Sequence, residues 1–209
     1  MNQSVVAGNV SAALPLTLLE SVRAHDRPEE FLEDEDLMLS MPRRLGLTGV
    51  ADNQIRHYQA AETARRPVSM DEVANLIKLV LKRDDAAMIL RETGRRLAEQ
   101  HFKRLPEGYV RMLRVLPSGV LLGSWRRSAR NLLRQMAGTV TIEVSSRPPI
   151  ARLRPNPLAP LEPSGTACAL YASVLERLAE LYTDSSPYAV ETRCCATGED
   201  CCEWTISGL

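Results

Sequence analysis

Residues 188–207 read YAVETRCCATGEDCCEWTIS, and they decide the fold. Two β-rich runs, about Tyr188–Cys195 and Cys201–Ser207, flank the turn Ala196-Thr197-Gly198-Glu199-Asp200. That is a hairpin. Centring it on Gly198 pairs Cys194 with Cys202 and Cys195 with Cys201. Side chains alternate faces along a strand. One face then carries Tyr188, Val190, Cys194, Cys202, Trp204 and Ile206. The other carries Glu191, Arg193, Cys195, Cys201 and Glu203. The first set is apolar and is expected to face a core. Its two cysteines are cross-strand neighbours, close enough for two thiolates on one metal ion. The same spacing suits plain buried thiols or a cross-strand disulfide.

Working backwards, Thr166 to Tyr182 has helical spacing, with Leu170, Tyr171, Val174, Leu175 and Leu178 on one side. Cys168 shares the face of Tyr171 and Leu175 and can reach the hairpin as a third ligand. Residues 148–163 hold six prolines and read as a surface loop. Before them Val140, Ile142 and Val144 alternate with polar residues, a half-buried strand. Everything earlier is helical. Ser69 and Glu72 fit a capping box ahead of Val73, Leu76, Ile77 and Val80. A second helix spans about Asp85–Leu105, and a third stretch covers 109–137 with a break at Pro117-Ser118-Gly119. Residues 1–16 read as a loose terminus. Residues 17–66 read as charged, interrupted helix, with an acidic stretch at Asp26–Asp36 and breaks at Pro42, Gly46 and Gly49. The fold class expected is α+β: helices packed on a small antiparallel sheet, with a helical N-terminal extension (1–69) and a metal-binding hairpin closing residues 70–209.

The chain has 209 residues, with 26 basic and 26 acidic side chains and 4% aromatics. Zero net charge argues against affinity built on phosphate neutralisation, and few aromatics argue against base stacking. No apolar run approaches a membrane span of roughly 20 residues, and no leader peptide is read. All five cysteines fall after residue 167, an odd and clustered set that suggests a metal site in a reducing compartment.

Cys168, Glu191, Cys194 and Cys202 form the pattern Cys-x22-Glu-x2-Cys-x7-Cys. With the Gly198-Glu199-Asp200 turn, this resembles the 4-vinyl-reductase domain family, small ligand-binding α+β domains related to vesicle-tethering TRAPP subunits. The resemblance covers about residues 70–209. Leu14–Val22, Pro42–Leu47 and Gln54–Tyr58 look like the family's stand-alone bacteriochlorophyll-synthesis branch. The resemblance implies a structural zinc ion on those four residues. Glu191 is the awkward ligand: three residues from Cys194, it points the other way in a regular strand, so binding needs a bulge.

The implied role lies in reducing the 8-vinyl (older 4-vinyl) group of a chlorophyllide-type tetrapyrrole. No Gly-x-Gly-x-x-Gly fingerprint and no iron–sulfur cysteine run is present. The favoured role is therefore carrier of the pigment, not enzyme; the alternatives are the vinyl reductase itself and a sensor or adaptor for a small aromatic or lipid ligand. Expected partners are the pigment, other pigment-synthesis enzymes and a second copy of the chain, with no nucleic acid. The expected location is cytoplasmic, peripheral to the photosynthetic membrane. Candidate pigment contacts are His101 as axial ligand, Trp125 with Leu121, Leu122 and Met136 as walls, and Arg126 and Arg130, with Arg134, facing a carboxylate. Each also fits a plain reading as hydrogen-bonded histidine, core or solvated stripe.

Overall fold

Ile142 and Val144 and the final hairpin do build one sheet, but one of its two central strands comes from the segment expected to be a loop. The computed structural model describes residues 8–26, 51–113, 115–138 and 140–209. Strands β3 (Thr141–Ser146), β4 (Pro149–Arg154), β5 (Tyr188–Arg193) and β6 (Cys202–Ser207) form an antiparallel sheet in the order β3-β4-β6-β5. The prolines bracket β4 without interrupting it. Pro149 is its first residue and Pro155 follows its last, leaving Ile150-Ala151-Arg152-Leu153-Arg154 free to donate on both sides. Ala151 and Leu153 are fully buried.

Among the described residues, seven helices precede and interleave with this sheet: α1 (Ala13–His25), α2 (51–63), α3 (Met70–Val80), α4 (Ala86–Lys103), α5 (Glu107–Leu113), α6 (Ser118–Ala137) and α7 (Ala169–Thr183). Residues 8–16, expected to be part of a loose terminus, hold a strand and the start of a helix. Strand β1 (Asn9–Ser11) pairs with β2 (Pro67–Ser69), and Val10, Leu14 and Leu18 are buried. These apolar side chains have a partner only in the folded molecule, where α1 lies on α4. One core runs from Val10 to Ile206, so the described parts of 1–69 share it with 70–209. The acidic stretch beyond Asp26 and the Pro42–Leu47 segment lie outside the described residues.

Ser69 caps α3 by accepting from the Asp71 N–H. Glu72 does not close the box; its carboxylate accepts from the Tyr58 hydroxyl at 2.6 Å. α4 and α7 run side by side in the same direction, Gly94 against Leu170 and Ser173, Glu99 bonded to Arg177, and Phe102 edge-on to Tyr182. Trp204 of β6 meets Tyr171 of α7 with ring centroids 5.8 Å apart. This packing brings the start of α7 over one end of β6.

The hairpin departs from its expected register. Tyr188 pairs with Ser207 and Glu191 with Trp204, one residue off the expected pairing. A bulge between Glu191 and Arg193 then restores it, and Arg193 pairs with Glu203. Tyr188 and Val190, expected in the core, are 56% and 48% exposed, and Ala189 packs inward instead. Cys201, expected on the open face, is completely buried.

Candidate metal centre

Cys168 closes a 3-10 turn, Thr166–Cys168, that leads into α7. The turn begins at Gly165, whose φ of +76° favours glycine; a Cβ there would also stand 3.3 Å from Cys194 Sγ. Cys194 follows β5 in extended conformation, and its carbonyl accepts from the Thr197 and Glu199 N–H groups at 3.1 and 3.2 Å. That knuckle returns the chain to Cys202 at the start of β6. The two arms of the hairpin and the approach to α7, 26 residues before Cys194, thus deliver one sulfur each to one point.

The sulfurs form a triangle with sides of 3.7 Å (Cys168–Cys194), 3.8 Å (Cys168–Cys202) and 4.0 Å (Cys194–Cys202). All are free thiols, so the disulfide alternative is not realised. Tetrahedral Zn–S bonds of about 2.3 Å place two sulfurs about 3.8 Å apart. The triangle therefore has the dimensions of three corners of such a site. Glu191 brings the fourth corner: its carboxylate and the three sulfurs all lie within 4.8 Å of one another. The bulge turns Glu191 onto the face of Cys194, as the alternation of a regular strand forbids. Its Oε1 is buried with no hydrogen-bond partner among the described residues. An orphaned carboxylate oxygen facing three thiols fits a cation-binding donor set.

The electrostatics point the same way. A sulfur hydrogen bond from Cys168 pulls the Cys202 thiol down to about 5, against the cost of burial and helped by the Cys195 N–H and the Asn156 amide. The Cys168 thiol is correspondingly raised by its bond to Cys202 and by burial. Burial lifts Cys194 to about 11 and raises Glu191. A bound cation would favour the anionic form of all four groups together, offsetting the rise at Cys168, Cys194 and Glu191.

Asn156, which the sequence reading passed over, is the further polar group at the site. It is 1% exposed and its Nδ2 lies 3.3 Å from Cys168 Sγ and 3.2 Å from Cys202 Sγ. Its only sequence signal is a polar side chain set between Pro155 and Pro157. Cys195 contributes its backbone N–H to Cys202 Sγ at 3.2 Å.

The candidate pigment contacts do not assemble. Trp125 is fully buried, its Nε1 3.4 Å from the Leu175 carbonyl. His101 Nε2 bonds Ser128 Oγ at 2.8 Å. Arg126 is exposed, while Arg130 donates to the Val144 carbonyl at 3.2 Å and borders a 290 Å³ groove with Glu143 and Arg152. A larger groove of 650 Å³ opens elsewhere, along Phe102, Val110, Leu113, Leu121, Leu181 and Tyr182, with Arg177 and Glu180 at its edge.

Fold and site together define an α+β protein in which three cysteines and a glutamate can hold a metal ion. No helix of the described residues is long and apolar enough to cross a membrane. No protein-family model, curated protein or solved structure matches the chain.

Proposed function

We propose that Cys168, Glu191, Cys194 and Cys202 hold a structural Zn²⁺, and that the domain they close carries a chlorophyllide-type tetrapyrrole to the 8-vinyl reduction step of bacteriochlorophyll synthesis. The observation that carries the metal assignment is the sulfur triangle with its orphaned carboxylate. Three soft thiolates and one carboxylate in tetrahedral spacing select zinc over calcium or magnesium. Four protein donors complete the coordination, so the ion holds α7, β5 and β6 together and leaves no position for substrate.

The pigment assignment rests on the resemblance of Cys-x22-Glu-x2-Cys-x7-Cys and the N-terminal stretches to the bacteriochlorophyll-synthesis branch of the 4-vinyl-reductase family. With Trp125 sealed in the core, the 650 Å³ groove is the better seat for a flat apolar ring. Phe102, Val110, Leu113 and Leu121 offer the ring an apolar wall. A carrier of this kind works beside a separate reductase, in the cytoplasm at the photosynthetic membrane.

Metal analysis of protein purified without added zinc is expected to give one Zn²⁺ per chain. Divinyl pigment is expected to shift its absorption bands on stoichiometric binding, less so with Leu121→Trp, and to keep its vinyl group when a reduced nicotinamide is added. Turnover by the chain alone would make it the reductase. A Cys194–Cys202 disulfide without zinc would remove the metal site, and unshifted pigment bands would remove the carrier.

A further inference from the structure

We infer that Asn156 is the positioning residue of the metal centre: its side-chain amide donates to two thiolate ligands at once and ties them to the loop after β4. The inference rests on reading the cysteine–glutamate cluster as a metal site.

The hydrogen bonds determine which way the amide faces. Oδ1 accepts from the Leu158 N–H at 3.0 Å, so that end is oxygen and the other end is NH₂. The NH₂ carries two hydrogens and faces two sulfurs, Cys168 at 3.3 Å and Cys202 at 3.2 Å. At 1% exposure the side chain has no bulk water to turn to. A thiol sulfur accepts weakly, whereas a thiolate is a charge-assisted acceptor. The amide thus spends both hydrogens on two of the candidate ligand sulfurs, which ties Cys168 and Cys202 to one side chain.

The charge balance gives the amide a task. A divalent ion offsets half the formal charge of three thiolates and a carboxylate. The remainder stays buried unless donors meet it. Asn156 meets it at two sulfurs, and the Cys195 N–H adds a second donor to Cys202. The same residue also shapes the loop, through its side chain and its main-chain carbonyl. Leu158 is held through Oδ1, Ala159 N–H bonds the Asn156 carbonyl at 3.3 Å, and both Leu158 and Ala159 are buried. Metal ligands and loop are thus positioned by one residue, the outer-sphere role that raises metal affinity in other sites.

The test compares wild type with Asn156→Ala and Asn156→Ser, using metal alone as ligand. In competition with a chromophoric chelator, Asn156→Ala is expected to bind Zn²⁺ about 10–100-fold more weakly at unchanged stoichiometry. In the Co²⁺-loaded protein its thiolate-to-metal charge-transfer band is expected at lower energy, because the sulfurs lose their donors. Asn156→Ser, keeping one hydroxyl donor, is expected to fall between the two. Wild type loaded with magnetically active cadmium is expected to show NMR coupling from the metal to the Asn156 side-chain amide protons, which decides the matter if the variants do not fold. Unchanged Zn²⁺ affinity and band energy in Asn156→Ala, or no such coupling in wild type, would overturn the inference while leaving the metal site standing. Wild type that binds neither Zn²⁺ nor Co²⁺ would overturn the metal reading itself.

Discussion

Glu191 reaches the thiols because Thr192 adds a residue to β5 that β6 does not match. Three steps along a regular strand would aim Glu191 and Cys194 at opposite faces. The bulge changes that parity, puts Glu191 inside with Ala189, and leaves Val190 outside. His101 illustrates a side chain whose surroundings give it a different task from the one its chemistry suggests. It sits half-buried against Ser128, and burial first, then the nearby Arg104 charge, holds its pKa below the usual 6.5. The folded state therefore keeps His101 neutral where the unfolded chain begins to take up a proton. Its contribution is complete above the unfolded pKa and is lost as pH falls through the folded one. Urea denaturation between about pH 5.5 and 7.5 should show wild type losing stability towards the acid end. Replacing His101 with Gln should flatten part of that slope, and an equal slope in the variant would contradict the assignment.

At the scale of elements, the α4–α7 contact is the tightest constraint. Gly94 lets the helices touch: an added Cβ would stand 2.0 Å from Ser173 Oγ and 2.5 Å from the Leu170 carbonyl. The serine can rotate away, but the carbonyl belongs to the helix backbone and cannot. Alanine gains about 1 kcal/mol over glycine in a helix interior. Overpacking costs about 1–3 kcal/mol and here acts against backbone, so it prevails. Gly94→Ala should lower Tm by roughly 2–4 °C for each kcal/mol lost, measured by thermal melting. An unchanged or higher Tm would show that the two helices separate without cost.

For the whole molecule, the metal cluster acts as a clasp. Cys168 belongs to the approach to α7, Glu191 and Cys194 to β5 and its exit, Cys202 to β6, and Asn156 to the exit of β4. These segments are joined otherwise by one continuous core. An ion bound only by the folded state adds about 4 kcal/mol at a thousandfold excess over Kd. Stripping the metal with a chelator should therefore lower Tm, and it should open residues 155–163 to proteolysis before the helices melt. Readdition of Zn²⁺ should restore both. A chelated protein with the same Tm and cleavage pattern would show that the core alone holds these segments.

Helices α3 and α7 were legible locally, because Val73, Ile77 and Val80 or Leu170, Val174 and Leu178 repeat at a spacing that only a helix can bury. Hairpin pairing likewise put Cys194 beside Cys202 with Cys168 in reach, whereas Glu191 entered the set only through the family resemblance, because regular strand alternation turns it away. Tertiary structure decided what those residues face. β4 was illegible because six prolines outweigh five strand residues in any local reading, and its burial comes from β3 and β6 on either side. Val10 and Leu14 looked loose because the helix and strand that cover them lie far along the chain. Asn156 carried no local mark of its role. Its amide gains its meaning from two sulfurs 12 and 46 residues away, which only the packing of α7 and β6 brings to it.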